Sequence, residues 1–449
     1  MNLSKPFQLQ LALALLGLSL LGPAYLFKQG IDGGSLLPGI AGLIGAFLAY
    51  SFLAKYVPDH IHLPTRYHYL GALLVRLPVL ALPIFIDDAL YRALWDGWIQ
   101  HNGFDPYSYF PSSSSLELVQ TGRLYDLLEH TTAYSSYSPI YQIPYRFMGY
   151  IYDYFGLATS ILVFKGVAIA LDLLIIQALF KWFDEFTERF HTGALLAFVL
   201  NPLWILFYTG QGLILQLAIL LFLWIAITWK RNYGELSAIL WGAFMMATPL
   251  GIVLWPYVIR RLGWKGALLP LITVIAWWIP FFSLNSLQHY WFGTVYHWLQ
   301  PESYTTFGYF LVRLMSEEAD VLMAGLYWLP VSYGILLAYT AWDAWKLEDI
   351  ELGGNSLDWL KHAVFPALLT FLLTPTGLYL PLIFALLLLV LQADNYRNIA
   401  AITALPIFQL LHVKLDIVLL PIFITAVILL WVGYELYRTR LFSLKNPSA

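Results

Sequence analysis

The chain has 449 residues, of which 60% are hydrophobic and 11% are charged, with a net charge of −3 and a mean hydropathy of +0.68. So few charged side chains could not cover the surface of a soluble fold of this length, which excludes an ordinary soluble enzyme. The absence of cysteine excludes disulfides, thiolate metal sites and cysteine nucleophiles, and no basic cluster that would bind nucleic acid is present.

Apolar segments of about twenty residues, long enough to cross a membrane as a helix, recur along the chain. They predict an all-α polytopic membrane protein with about twelve full spans, forming one integral membrane domain over residues 1–449. The predicted spans lie near residues 8–27, 37–54, 70–86, 158–180, 194–209, 213–229, 267–283, 320–342, 362–374, 378–391, 398–411 and 415–436. The first is expected to stay in the protein, because it is too long for a signal-peptide core.

Residues 236–258 hold enough apolar residues for one crossing, yet cations flank them on both sides. Because cations favour the cytoplasmic side, both flanks are expected there, and the segment is predicted to form two half-length helices that turn back at Thr248-Pro249. Such a broken hairpin is tolerated only where it lines a cavity or is buried in protein.

With both termini in the cytoplasm, most lysine and arginine residues fall on the cytoplasmic side. This orientation predicts an integral membrane protein, of the bacterial inner membrane type, with two long extracytoplasmic loops at residues 87–157 and 284–319. An amphipathic interfacial helix is expected within the first loop. Because no nucleotide-sugar or ATP is available on that face, a donor there would have to arrive on a lipid.

The first loop begins with the most polar stretch of this apolar chain. Four carboxylates gather with aromatic residues, a mixture that suits binding of a sugar or another hydroxylated ligand. The stretch includes Asp87, Asp88, Tyr91, Arg92, Trp95, Asp96, Asp105 and Tyr107. An ordinary interfacial loop, with solvated acids and aromatics at headgroup level, fits the composition equally well.

The order and spacing of these residues resemble the multi-spanning glycosyltransferases of the C superfamily, most closely the bacterial lipid-linked mannosyltransferases. The matching blocks are Asp87, Asp88, Tyr91, Arg92, Trp95, Asp96 and Gly97, then Gly103, Asp105, Pro106 and Tyr107, then Tyr137-Ser138-Pro139. A looser similarity continues through Asn201-Pro202-Leu203 and Thr374-Pro375-Thr376.

The resemblance implies inverting transfer of a hexose, most simply mannose, from a polyprenyl-phosphate carrier to a glycan or lipid-linked acceptor. It implies that Asp87 or Asp88 is the catalytic base, which takes the proton of the attacking acceptor hydroxyl. Arg92 would pair with Asp88 or face the donor phosphate, although its i, i+4 spacing from Asp96 also favours a simple ion pair. Asp96 and Asp105 would position hydroxyls. Tyr91, Trp95 and Tyr107 would shape the sugar pocket.

Three departures concern the donor-phosphate side of the resembled site. Leu213 and Leu215 stand where relatives carry a polar cluster with a histidine and an acid, and Thr248 stands where they carry a lysine. Three explanations stay open for these differences. The donor differs, other groups replace the missing histidine, acid and lysine, or activity has been lost.

The second loop supplies another polar and aromatic set, in which His289 and Glu302 are expected to close the sugar pocket from the opposite side. Interfacial aromatic residues would give the same pattern. The carboxylates are also compatible with a divalent cation, although nothing in the sequence requires one.

The alternative function is that of a lipid-linked-sugar flippase, another transporter, or an inactive relative kept as a partner subunit. Lys165 and Asp172 lie seven residues apart in one predicted span, near the same helix face. Intramembrane charges of this kind indicate either a transport pathway or a neutralising pair between helices. Arg76, in the third predicted span, is expected to extend its side chain towards the cytoplasmic interface.

Overall fold

The computed structural model describes residues 65–84, 88–120, 122–186, 198–298, 321–347 and 359–373, together with isolated positions outside these ranges. Every regular element in this part of the chain is helical, so the fold is all-α there. The helices are α1 (Thr65–Arg76), α2 (Ala89–His101), α3 (Arg123–Asp126), α4 (Pro139–Phe186), α5 (Pro202–Trp204), α6 (Gln216–Lys230), α7 (Gly234–Ala247), α8 (Leu250–Val253), α9 (Trp255–Leu262), α10 (Trp264–Trp278), α11 (Leu284–Trp298), α12 (Val321–Lys346) and α13 (Trp359–Leu373).

Two helical segments in the described ranges, Pro139–Glu185 and Trp264–Phe281, are long and apolar enough to cross a membrane. Shorter apolar helices cover Tyr69–Ala81, Gln216–Lys230 and Gly234–Ala247. These helices support a membrane location, whereas the count of about twelve spans stays a prediction. Most of the residues predicted to span near 8–27, 37–54, 378–391, 398–411 and 415–436 lie outside the described ranges.

Helix α4 consists of two helices joined at Gly156, whose backbone is non-helical (φ 78°, ψ 177°). This positive φ favours glycine, because other residues would place Cβ against the backbone. The sequence predicted a polar loop up to residue 157 and a span from 158, and the kink lies at that boundary. The helix before the kink, from Pro139, belongs to the long first loop.

The first half of α4 packs against α2 with backbone contact between two glycines. A Cβ built on Gly97 would lie 1.9 Å from the carbonyl oxygen of Tyr145, and one built on Gly149 would lie 2.1 Å from the carbonyl oxygen of Gly97. Only glycine therefore permits the two helices to cross at this distance. The crossing fixes α2, which carries most of the acidic motif, against the start of α4.

The Gly97→Ala variant tests this close crossing. Because the added methyl group meets rigid backbone, we expect a loss of about 1–3 kcal/mol of stability, as for other overpacked cores. Thermal unfolding of the purified protein would measure the loss. Gly166→Ala, at a helical glycine of α4 with no atom within 4 Å of its Cβ position, is the matched control. A Gly97→Ala variant as stable as wild type would contradict the crossing.

The apolar segment 236–258 breaks where the sequence predicted. Helix α7 ends at Ala247, Thr248 is extended (φ −157°, ψ 139°), and α8 begins at Leu250. The chain turns back on itself after this break. A hydrogen bond from Trp241 Nε1 on α7 to the carbonyl of Gly251 on α8, at 2.9 Å, joins the two segments. The last carbonyls of α7 also find donors, since Tyr141 Oη donates to Ala247 O at 2.8 Å.

The charges of α1 and α4 meet in the interior. Arg76 is 1% exposed and its Nε lies 2.7 Å from Asp172 Oδ2, so the expectation that Arg76 reaches the interface is wrong. Asp172 also accepts hydrogen bonds from Trp204 Nε1 (2.7 Å) and Thr209 Oγ1 (2.6 Å). Lys165 donates instead to the carbonyls of Val79 and Leu82. The neutralising partner of Asp172 is therefore Arg76, on another helix.

Candidate functional site

A narrow cavity lies between the start of α2, the loop before α4, and α11. It holds about 20 Å³ of free space, enough for a water molecule. Its walls include Asp88, Arg92, His130, Tyr134, Tyr137 and Tyr296. The structure thus brings a carboxylate and a guanidinium from the predicted motif to one aromatic-lined cavity.

Asp88 occupies the residue before α2, where an aspartate usually caps the helix through its side chain. Here the carboxylate turns away from α2, and its Oδ2 accepts a hydrogen bond from the backbone N–H of Glu129 at 2.7 Å. The side chain is largely buried and lines the cavity. Its position suits proton abstraction from a bound hydroxyl. Asp87, the other predicted base, lies outside the described residues.

Arg92 is on the next turn of α2 and lines the same cavity. Its Nε lies 3.1 Å from Asp96 Oδ1, so the i, i+4 ion pair that the spacing favoured is present. Its Nη1 donates to the carbonyl of His130 at 3.3 Å. Its Nη2 is buried without a hydrogen-bond partner among the described residues. A guanidinium fixed at two nitrogens with a third free is suited to receiving an oxygen of an anionic group.

Asp96 is fully buried and does not line the cavity. Its carboxylate accepts hydrogen bonds from Ser135 Oγ and, at 3.1 Å, from Gln142 Nε2. Gln100 Nε2 in turn donates to Gln142 Oε1 at 2.6 Å. Burial raises the pKa of the Asp96 carboxyl, and the positive charge of Arg92 and these hydrogen bonds oppose that rise. The structure therefore places Asp96 as the anchor of Arg92 and not on the cavity wall, while a role in positioning hydroxyls stays a prediction.

Asp105 organises a turn. It accepts hydrogen bonds from the backbone N–H of Tyr107 (3.1 Å), from Ser108 Oγ (2.6 Å) and from Ser286 Oγ (2.9 Å). Because Ser286 is on α11, Asp105 joins the first loop to the second. The structure brings Asp105 to this junction and not to the cavity wall.

His289 on α11 reinforces the same junction. Its Nδ1 donates to the carbonyl of Tyr107 at 3.0 Å, and its ring stacks on Tyr134 with centroids 4.0 Å apart and planes 8° apart. Gly293 lies one turn further along α11, where a Cβ would be 2.6 Å from the carbonyl oxygen of Tyr134. Helix α11 thus closes the cavity opposite α2, on the side where the sequence placed the second loop. Glu302 lies outside the described residues.

The three predicted aromatic residues lie outside the cavity wall. Trp95 and Tyr107 are both fully buried, and Tyr107 Oη donates to the carbonyl of Tyr137 at 2.7 Å. Burial raises the pKa of Tyr107 well above its usual value, which keeps this phenol a donor. Tyr91 is partly buried, and burial raises its pKa while Arg123 opposes the rise. Their packing holds the loop together, so the cavity takes its aromatic walls from Tyr134, Tyr137 and Tyr296 instead.

The positions that depart from the resembled family are buried. Leu213, Leu215 and Thr248 are each at most 6% exposed. Thr248 directly follows Ala247, whose carbonyl accepts from Tyr141 in the first half of α4. Within the described ranges, no three His, Asp or Glu side chains cluster as metal ligands, and the divalent cation stays a prediction.

Sequence reasoning missed His130 and Tyr296, whose rings contact edge to face with centroids 6.0 Å apart at the cavity. It also missed Ser135 and Gln142, which hold Asp96. Neither pair belongs to a recognisable motif. The clustering of tyrosines after residue 134 was the one available signal.

Comparison with known proteins gave no match, whether to family models, to curated proteins or to solved structures. The similarity to C-superfamily glycosyltransferases therefore rests on the motif residues alone.

Proposed function

We propose that the protein is an inverting membrane glycosyltransferase that moves a hexose, most simply mannose, from a polyprenyl-phosphate carrier to a glycan or lipid-linked acceptor. The observation that carries the proposal is that Asp88 and Arg92, whose Nη2 has no partner among the described residues, line one cavity with aromatic walls. A sugar phosphate has groups that this cavity would bind. Its anionic phosphate would contact the guanidinium, and the apolar faces of its sugar ring would pack on the tyrosines.

In the proposed reaction, Asp88 or its neighbour Asp87 accepts the proton of the acceptor hydroxyl as that oxygen attacks the anomeric carbon. The bond between this carbon and the phosphate oxygen breaks, and the electron pair leaves with the polyprenyl phosphate. Arg92 faces the phosphate and stabilises its charge. Attack opposite the leaving group inverts the anomeric centre.

The cavity of about 20 Å³ is too small for a hexose. Binding therefore requires that α11 and the loop before α4 move apart, which separates the His289 ring from Tyr134. We place the site on the extracytoplasmic face of a bacterial inner membrane, with both termini in the cytoplasm, as the cation distribution predicts.

Transfer of radiolabelled sugar from a panel of polyprenyl-phosphate sugars tests the proposal. Purified protein in nanodiscs is given each donor with an acceptor extract, and labelled product is separated by chromatography. We expect product with one class of donor. Movement of the intact lipid-linked sugar across a vesicle membrane without transfer would instead support a flippase.

The transport alternative predicts that Lys165 and Asp172 are essential for activity while the fold tolerates their loss. The contacts favour a structural role, because Asp172 is satisfied by Arg76, Trp204 and Thr209. We expect Asp172→Ala to leave Arg76 as an unpaired buried charge and to lower stability by about 3–5 kcal/mol. Thermal unfolding would measure this. An Asp172→Ala protein of normal stability that no longer moves substrate would favour transport.

A further inference from the structure

His130, in the loop before α4, is a titratable residue of the cavity that the proposed reaction leaves without a role. It lines the cavity together with Asp88 and Arg92. Of the described residues that line this cavity, Arg92 and His130 are the two whose side chains can carry a positive charge. His130 is partly buried, so its imidazole can still exchange protons with solvent.

The backbone at His130 is held by the same two side chains that the proposed reaction uses. The N–H of Glu129 donates to Asp88 Oδ2 at 2.7 Å. The carbonyl of His130 accepts a hydrogen bond from Arg92 Nη1 at 3.3 Å. The ring of His130 contacts the ring of Tyr296 on α11 edge to face. Residues of α2 and α11 thus fix His130 beside the carboxylate and the guanidinium of the cavity.

The imidazole of His130 has donor capacity left for a ligand. Within the described ranges, neither of its ring nitrogens has a hydrogen-bond partner. A protonated imidazole donates from both nitrogens. Arg92 Nη2 also lacks a partner among the described residues. Two side chains, one from α2 and one from the loop before α4, therefore bring unused nitrogen donors to one cavity.

The charges already present at the cavity oppose the entry of an anion. Arg92 is paired with the buried carboxylate of Asp96, so these two charges cancel. Asp88 adds a second carboxylate on the cavity wall. With a neutral imidazole at His130, a donor phosphate would meet two carboxylates and one guanidinium, an unfavourable balance for a buried anion. A protonated His130 makes the positive and negative charges equal.

The other titratable side chains around His130 do not supply a positive charge. Glu129, which precedes it, is acidic and exposed. His289 on α11 is bonded to the carbonyl of Tyr107 and does not line the cavity. The remaining titratable residues of the cavity wall carry phenols, which ordinarily have no charge near neutral pH, and they are Tyr134, Tyr137 and Tyr296.

We propose that His130, as an imidazolium, is the second cationic ligand of the donor phosphate and donates a hydrogen bond to the oxygen that leaves the anomeric carbon. This role rests on the proposed function. The donor is a phosphodiester with one negative charge. When its bond to the anomeric carbon breaks, the electron pair stays on the phosphate oxygen, and the departing monoester carries a second charge.

The proton of the acceptor hydroxyl goes to Asp88 or Asp87 in this step, and His130 keeps its own proton. The positive charge of His130 therefore offsets the negative charge that develops on the leaving oxygen. Arg92 Nη2 contacts another oxygen of the same phosphate. The two cations thus hold the phosphate from α2 and from the loop before α4.

Binding of farnesyl phosphate, a prenyl monophosphate, tests this role without turnover. Isothermal titration calorimetry with the purified full-length protein in detergent measures the Kd. Farnesol, which has the same chain without the phosphate, reports binding of the chain alone. His130→Gln removes the cation and His130→Arg keeps one. His101→Gln is the matched control, because His101 ends α2 and does not line the cavity.

We expect His130→Gln to raise the Kd of farnesyl phosphate about ten- to a hundredfold, the usual effect of losing a hydrogen bond to a charged group. The Kd of farnesol should not change. His130→Arg should restore most of the affinity for farnesyl phosphate, and His101→Gln should bind as wild type does.

The pH dependence of binding separates charge from shape. From about pH 7 to pH 9 a monophosphate is almost fully ionised, whereas histidine side chains ordinarily lose their positive charge between about pH 5 and pH 8. The affinity of wild type for farnesyl phosphate should therefore fall as the pH rises through this range. The affinity of His130→Arg should stay constant, because arginine keeps its charge.

Equal affinity of wild type and His130→Gln for farnesyl phosphate would overturn the role of His130 and leave the proposed transfer standing. Failure of His130→Arg to bind more tightly than His130→Gln would overturn the role of its charge. A wild-type protein that binds farnesyl phosphate no more tightly than farnesol would overturn the role of His130 and the proposed donor class together.

Discussion

Asp88→Asn is expected to lower sugar transfer by about one hundred- to ten thousand-fold, the usual contribution of a general base. Asparagine keeps the shape of the side chain, and its oxygen can still accept the hydrogen bond from Glu129 N. The fold should therefore survive while the ability to take a proton is lost. Initial rates at saturating donor, together with unfolding curves, would separate the two effects.

Glu117→Gln is the matched control for Asp88→Asn. Glu117 is an exposed carboxylate of the same loop and does not line the cavity, so its neutralisation should leave transfer unchanged. Asp87→Asn belongs beside these variants. Full activity of Asp88→Asn with loss in Asp87→Asn would move the base to Asp87, and full activity of both would contradict carboxylate catalysis at this site.

The second large effect is expected from Asp96→Ala. This change removes the buried partner of Arg92 and leaves Ser135 and Gln142 without their acceptor. Uncompensated burial of a charge costs about 3–5 kcal/mol, so the unfolding temperature should fall sharply. Transfer should fall as well, because Arg92 loses the contact that holds its guanidinium at the cavity.

Asp126→Ala serves as the control for Asp96→Ala, since Asp126 is an exposed carboxylate in the same loop. It should change stability by less than about 0.5 kcal/mol, as surface substitutions usually do. An Asp96→Ala protein with the unfolding temperature of wild type would contradict the role of Asp96 as the anchor of Arg92.

Features that depend on residues close together in the sequence could be predicted from the sequence. The helix break at Thr248-Pro249 follows from the restriction that proline places on the residue before it. The ion pair of Arg92 with Asp96 follows from i, i+4 spacing on a helix. The boundary between loop and span near residue 157 follows from the change in composition, and the structure marks it with Gly156.

Contacts between residues far apart in the sequence could not be predicted. Nothing local indicates that Arg76 would meet Asp172, 96 residues away, or that Gln142 would reach Asp96. The aromatic residues of the motif were expected in the pocket because of their type, yet Trp95 and Tyr107 pack inward. An aromatic side chain suits a sugar face and a protein core alike, so composition could not distinguish the two.

The most direct test of the proposed site is a structure of the protein with a bound polyprenyl-phosphate sugar. We predict a phosphate oxygen within hydrogen-bond distance of Arg92 Nη2 and the sugar between Tyr134 and Tyr296. We also predict open space beside the anomeric carbon, from which an acceptor hydroxyl can reach the carboxylate of Asp88 or Asp87. A donor bound elsewhere, with the cavity closed and Arg92 Nη2 still without an anionic partner, would contradict the account.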